Sequence, residues 1–460
     1  MTDPAPGDDR LILSGIRVID AATWIAGPTA ATVMADFGAD VIKVEPPGGD
    51  GYRRLNDTPG FPVADTDYAW QLDNRSKRGI TMDLGLDRDQ ERLHALVASA
   101  DVFVTNHPLP VRRKFRLTYD DLSVLNPRLI YASLTAKGEV GPEADGSGFD
   151  LTTYWARSGL MHLVRPDMAG PPATSVAGQG DHPTGISLFA AVMLALYERT
   201  MTGRGREVHT SLIANGLWSN AVLTTASLAG AAMKNKRPRH DPWTAMVNYY
   251  QTRDGRWFIM SALDPDRDFR RLTEVIEQPD LLTDPRFATV EARSENAVAL
   301  TEVFDAAFRQ RDWAEWQVRL GETRLAVGPV LTPDESAADP QARAVGAIRD
   351  TGEGALLPHL IDTPIWVTGQ NKVAPRRAPA PDEHGDEWRK FQDMETQIGR
   401  KVTPDYLIKK EEIVSYLHYL CYLLDDYQIE KYVEEYTDEG HYKLIPRENH
   451  ERDLFVSIID

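Results

Sequence analysis

The feature that most constrains this chain is a strand–helix–strand alternation, repeated through its first 135 residues. Ile16-Arg17-Val18-Ile19-Asp20 is a short β-branched run ending in an acid. A turn at Trp24–Pro28 leads into the small-residue helix signal of Thr29–Phe37, with Gly38 placed as a C-terminal stop. Val41–Val44 is a second strand signal, ended by Pro46-Pro47. Strand, helix and strand within about 30 residues make a βαβ unit, which implies parallel strands. The pattern recurs: strand signals at Gly79–Leu84, Val102–Val104 and Leu129–Leu134, and a helix at Asp87–Ser99 with Leu93, Leu96 and Val97 on one face. These signals predict an α/β fold with a doubly wound parallel sheet, whose ligands sit in loops at the carboxyl ends of the strands.

Further along, residues 151–225 read as helix-rich, and Ile186–Arg199 is the clearest helix. Asn248–Ile259 reads as a hairpin turning at Asp254-Gly255. The expected organisation is a large domain beginning at 11–225, a smaller α+β domain at 226–330, a segment at 331–388 and an appended helical module at 389–460. That last stretch differs in composition: eight of the 16 tyrosines lie between Tyr406 and Tyr442, and no tryptophan follows Trp388. It packs on the body or binds a protein partner.

Composition narrows the function. A net charge of −18 argues against binding a phosphate backbone as the main activity. One cysteine, Cys421, cannot form an internal disulfide, which fits a reducing, cytoplasmic setting. No 18-residue apolar run suggests a membrane span. Neither a dinucleotide fingerprint nor a Walker or nucleophile-elbow motif is present, and the histidines show no i, i+4 ligand pair, so no metal is expected.

The densest chemistry lies between Gly138 and Gly185, where Asp150, Asp167 and Asp181 stand among glycines and prolines. Carboxylates in such loops serve as nucleophiles or general bases. Asp150 and Asp181 also precede apolar helices, so each equally fits a helix cap. Asp167, between Pro166 and Gly170-Pro171-Pro172, has less to cap. The basic run Arg112–Arg116 and Lys137 suggest an anionic ligand, or else a solvated helix face.

Several strings, taken in order, carry a resemblance. They are Ala26-Gly27-Pro28, Phe37–Asp50, Asn74–Arg78, Asn126–Tyr131, Ser158–Met161, Thr202–Arg206, Asp254–Trp257, Asp284–Thr289 and Asp339–Gln341. Over about residues 11–385 the chain resembles the family III CoA-transferases, which include formyl-CoA transferase, CaiB/BaiF proteins and α-methylacyl-CoA racemase. The resemblance implies an interlocked homodimer, with the 331–388 segment returning to the large domain. It implies acyl-CoA as substrate, bound around Ile25, Ala26, Asn74, Arg75, Asn106 and His107, with Arg113 and Lys137 as further CoA contacts. It also implies an aspartate nucleophile that forms an acyl mixed anhydride and then an aspartyl-CoA thioester. The family position before Gly-Pro-Pro is Ala169 here, so the expected nucleophile is the nearby Asp167, with Asp150 and Asp181 shaping the pocket. Phe149 stands where the racemases carry a histidine base. The expected activity is CoA transfer from an acyl-CoA to a carboxylic acid. The alternatives are an acyl-CoA isomerase, racemase or lyase on the same fold, or a silent CoA-fold protein with a partner-binding tail.

Overall fold

A computed structural model describes residues 11–352 and 354–386, together with the backbone of 436–437 and 440–441. The main sheet has six strands: β1 Arg17–Asp20, β2 Asp40–Glu45, β3 Arg78–Thr81, β4 Val102–Thr105, β5 Ile130–Thr135 and β6 Arg206–Ser211. Their order is β3-β2-β1-β4-β5-β6, and every pairing is parallel. The chain therefore reverses its direction of winding between β1 and β4. A crevice opens at the carboxyl ends of strands where the order switches in this way.

The helices that matter for the crevice are α1 Ala26–Asp36, α2 Tyr68–Asn74, α3 Asp87–Ala98, α4 Leu109–Lys114, α5 Tyr119–Ser123, α6 Leu160–Leu163 and α7 Asp181–Thr202. Val18, Val41, Val102, Val104, Ile130 and Ala132 are buried with α1 residues Ala30, Val33 and Met34 and α7 residues Leu188 and Val192 in one apolar core. α7 packs directly on α1. A Cβ built on Gly185 would stand 2.7 Å from the Ala26 carbonyl oxygen, so the close approach of these helices requires glycine there. α7 begins at Asp181, five residues before the apolar periodicity predicts. Pro183 is tolerated because the first turn lacks amide partners anyway.

Strand β6 is absent from the sequence expectation. Its residues, Arg-Glu-Val-His-Thr-Ser, are polar and mostly exposed because it forms an edge of the sheet.

A second core lies in residues 245–327. Here β7 Val247–Gln251, β8 Trp257–Ser261 and β9 Val327–Pro329 form an antiparallel sheet, with the hairpin turning where Asp254-Gly255 predicts. Phe258, Phe304, Phe308 and Trp316 fill it edge to face. Residues 373–384 run back along β3: the Arg376 amide donates to Ser76 Oγ, the Trp70 indole donates to the Pro379 carbonyl, and the Thr81 amide donates to Asp382. The expected helical module at 389–460 lies outside the described residues, apart from a short antiparallel strand pair, Tyr436–Thr437 with Gly440–His441. No described helix is long and apolar enough to cross a membrane.

Candidate active site

The crevice at the switch point is a built cavity. Thr23–Ala26 after β1, Asn106–Pro108 after β4, Leu134–Ala136 at the end of β5, Gly146–Phe149, Asp181 and Leu212 line it. Four of the expected CoA contacts, Ile25, Ala26, Asn106 and His107, are on this wall. The first two loops are sewn together. Asn106 accepts the Thr23 amide at 2.8 Å and donates to the Thr23 carbonyl at 2.7 Å. Trp24 adopts φ 62°, a left-handed conformation that is strained for a bulky residue, and its amide is held by both oxygens of Asp50 at 3.2 Å.

A buried charge network supports these loops from below. Lys77 Nζ donates to Asp20 at 2.8 Å and to the carbonyls of Pro28 and Asp73, and Lys43 pairs with Asp50 at 3.2 Å and approaches Asp20 at 3.8 Å. All four side chains are fully buried or nearly so. Burial opposes the Asp20 charge, but the two lysines outweigh it and hold its carboxyl below the usual range. Burial pushes the Lys77 ammonium down to about 8, with Asp20 working against that shift. Each charge in this network is paired, so removal of one would strand another.

Asp181 is the carboxylate that faces the crevice. It is the first residue of α7, where the helix dipole favours a negative charge. Burial, and then the neighbouring Asp150 charge, push its carboxyl up to about 7; the His182 imidazole works in the opposite direction. Among the described residues nothing donates a hydrogen bond to it, so its oxygens are open to a ligand.

Asp150 stands behind it. It opens a π-helical turn, Asp150–Trp155, a form concentrated at functional sites. Its Oδ2 accepts the Gly180 amide at 2.9 Å, while Oδ1 is buried with no partner among the described residues. Burial raises its carboxyl above the usual range. Asp167 is placed differently. Its Oδ1 accepts the amides of Ala169 and Gly170, both at 2.8 Å, closing a turn within its own loop, and it does not line the cavity.

The remaining expected contacts are engaged elsewhere. Arg75 is buried and forms a two-pronged bond with Asp36 at 3.0 and 2.7 Å, so its guanidinium is committed to the scaffold. Asn74 is buried and accepts from Lys77. Lys137 pairs with Glu143 at 2.8 Å, and Arg113 is exposed, 3.9 Å from Asp145. Arg112, within the basic run, is buried against Glu139 at 2.6 Å. Among the described residues no cluster of three His, Cys, Asp or Glu side chains is arranged to hold a metal ion.

One pair has no counterpart in the sequence expectation. His182 Nε2 donates to Asp73 Oδ1 at 3.1 Å, and buried Asp73 also accepts from Tyr52 at 2.7 Å and Thr29 at 3.1 Å. The partners are 109 residues apart, and no spacing signal joins them.

An open carboxylate thus stands at the switch point of a doubly wound sheet, among the strand-end loops. The CoA-transferase family III model matches residues 13–385, and the chain belongs to that family. It is 33% identical over 396 residues to an acetyl-CoA:oxalate CoA-transferase of Acetobacter aceti, covering 85% of this chain and 98% of that one. It is 29% identical to the (R)-2-hydroxy-4-methylpentanoate CoA-transferase of Clostridioides difficile, over 81% of this chain and 92% of that one. A solved CaiB/BaiF family protein from Brucella suis superposes with a TM-score of 0.74 at 30% identity, covering 83% of this chain and 99% of that one. The chain is thus a CoA-transferase-family enzyme, and acyl-CoA is the substrate class of that family.

Proposed function

We propose that this protein moves CoA from an acyl-CoA thioester to a carboxylic acid, with Asp181 as the nucleophile. The carrying observation is that Asp181 alone of the three candidate aspartates lines the crevice, while the Asp167 carboxylate is spent on its own loop. An Asp181 oxygen attacks the thioester carbonyl; the C–S bond breaks, leaving a mixed anhydride and CoA thiolate. The thiolate then attacks the Asp181 carbonyl, releasing the donor acid and forming an aspartyl-CoA thioester. The acceptor carboxylate attacks that thioester, and the expelled thiolate attacks the acceptor's acyl carbon. A new acyl-CoA leaves and the aspartate is restored. An ionised carboxylate needs no general base for this role. The positive end of α7, where Asp181 is the first residue, favours negative charge as it develops.

The same reading includes a homodimer. Trp218, Val222 and Leu228 are each more than 80% exposed along the helices α8 Leu212–Ser219 and α9 Ala221–Leu228, an apolar face of the kind that association covers. Light scattering behind a sizing column tests this; a monomer at micromolar concentration overturns it.

The test of the reaction is trapping. The protein is incubated with acetyl-CoA or succinyl-CoA, quenched with hydroxylamine, and its peptides mapped by mass. A CoA-ester-dependent hydroxamate on Asp181 is expected. The same adduct on Asp167 or Asp150 keeps the reaction and moves the nucleophile. Absence of any adduct, with CoA transfer also absent, overturns the reading.

A further inference from the structure

The feature that the reaction leaves unused is His182, next in sequence to the proposed nucleophile. We propose that His182, hydrogen-bonded to buried Asp73, is a positioning residue: it sets a titratable positive charge beside Asp181 and so tunes the charge state in which Asp181 meets the acyl-CoA. This rests on the reading of Asp181 as the nucleophile.

The anchor is built for a cation. Asp73 is 2% exposed and sits near the end of α2. It takes hydrogen bonds from Tyr52 on the 3₁₀ turn Gly51–Asp57, from Thr29 on α1 and from His182 on α7, so three elements converge on one carboxylate. Burial alone would favour a neutral acid, but these bonds, with the Arg75 charge behind them, keep it ionised below the usual carboxylate range. A buried carboxylate in turn favours the protonated imidazole. Burial opposes that charge on His182, yet the bond to Asp73 and the charge of Asp181 outweigh it and raise the imidazole above its ordinary value.

The groups facing Asp181 are therefore of two signs. Asp150 from the π-helical turn and Asp73 from α2 disfavour its ionisation, while His182 favours it. Tyr52 is held neutral by burial and by Asp73, and His107 on the cavity wall is pushed by burial toward its neutral form. His182 is thus the cation that offsets the acidic pair. Without it, three carboxyls crowd one helix N-terminus, and Asp181 retains its proton at higher pH.

The test uses the full-length protein and needs no knowledge of the natural substrate. Carbodiimide with glycine ethyl ester labels protonated carboxyls, and its yield at Asp181 against pH, read by peptide mass, gives the titration midpoint. His182→Gln is expected to raise the midpoint by about half to one pH unit, the scale of one nearby charge. His182→Lys, which keeps the charge, is expected to stay near wild type. Acetyl-CoA-dependent trapping in His182→Gln should fall roughly three- to tenfold at pH 6 and recover to within about twofold at pH 9, following the same single-charge shift. An unchanged midpoint in His182→Gln overturns the proposal. So does a midpoint in His182→Lys that rises as far as in the glutamine variant, or a rate loss equal at every pH, since a merely structural residue would give these. Persistence of full trapping in Asp181→Asn is a separate result: it defeats the nucleophile assignment, while the labelling curve still reports on His182.

Discussion

Asp150 Oδ2 receives the Gly180 amide at 2.9 Å, and a Cβ built on Gly180 would fall 2.4 Å from the other oxygen of that carboxylate and 2.3 Å from Tyr154 Cγ. The residue before the proposed nucleophile therefore has to be glycine, for contact rather than for backbone freedom, since its φ of −100° suits any residue. Gly180→Ala forces either the aspartate or the start of α7 to move. We expect a loss of about 1–3 kcal/mol in stability, the usual cost of overpacking, and at least a tenfold loss of trapping at Asp181. Calorimetry and peptide mapping read the two effects. Unchanged trapping would mean that the Gly180 amide is not what orients Asp181.

That contact also shows where the sequence becomes illegible. Strands β1, β2, β4 and β5 are short stretches centred on β-branched and apolar residues between turn signals, so local pattern reveals them. β6 escapes because an edge strand need not be apolar. Asp150, Asp167 and Asp181 each stand within three residues of a glycine, and nothing local separates them. The decision is made when Gly185 lets α7 lie against α1 and carries Asp181 into the crevice, while Asp167 closes a turn on its neighbours. The Asp73–His182 bond is illegible for the same reason: it exists only because α2 and α7 both flank α1. Lys43 is a clue of another kind, a charge inside the buried run Val41–Val44, which burial permits only when partners are waiting.

The raised carboxyl of Asp181 has a sign that can be checked. Its folded value of about 7 exceeds the unfolded value of 3.8, so the folded state binds more protons between these limits. Stability must then fall as pH rises through that window, while reactivity of the ionised carboxylate grows. Trapping is expected to climb between pH 6 and 8. Asp181→Asn should abolish it and raise the melting temperature at pH 8 by a few degrees, with little gain at pH 4. A lower melting temperature for the asparagine variant at pH 8 would contradict the burial argument.

Arg75 separates scaffold from ligand binding. Its guanidinium is spent on Asp36, which also accepts from Thr363 Oγ1 of the returning segment. Arg75→Ala strands a buried carboxylate, and we expect a loss of about 3–5 kcal/mol, as for other broken buried pairs. Arg75→Lys restores the charge but not the two-pronged geometry, and should recover only part of it. Wherever the variants remain folded, CoA affinity by calorimetry should stay within about twofold of wild type, since the side chain does not reach the cavity. A tenfold loss of affinity in folded Arg75→Lys would return this residue to the CoA site.

Phe149 stands at the cavity wall with 60% of its surface exposed, edge to face with Trp24 at 6.1 Å between ring centroids. So exposed a ring adds little to folding. Its placement beside the strained Trp24 loop gives it a different use: both rings line the cavity that Asp181 also lines, and offer it apolar binding surface. Phe149→Ala is expected to leave the melting temperature within about 2 °C, as for a surface change of under 0.5 kcal/mol. The same change should raise the half-saturating acyl-CoA concentration for trapping several-fold, with the limiting rate less affected, since binding surface is removed while Asp181, Asp150 and His182 stay in place. A fall in the limiting rate alone would place Phe149 against the reacting atoms instead of on the binding surface. A large drop in melting temperature would show that the ring contributes to folding rather than to the cavity wall.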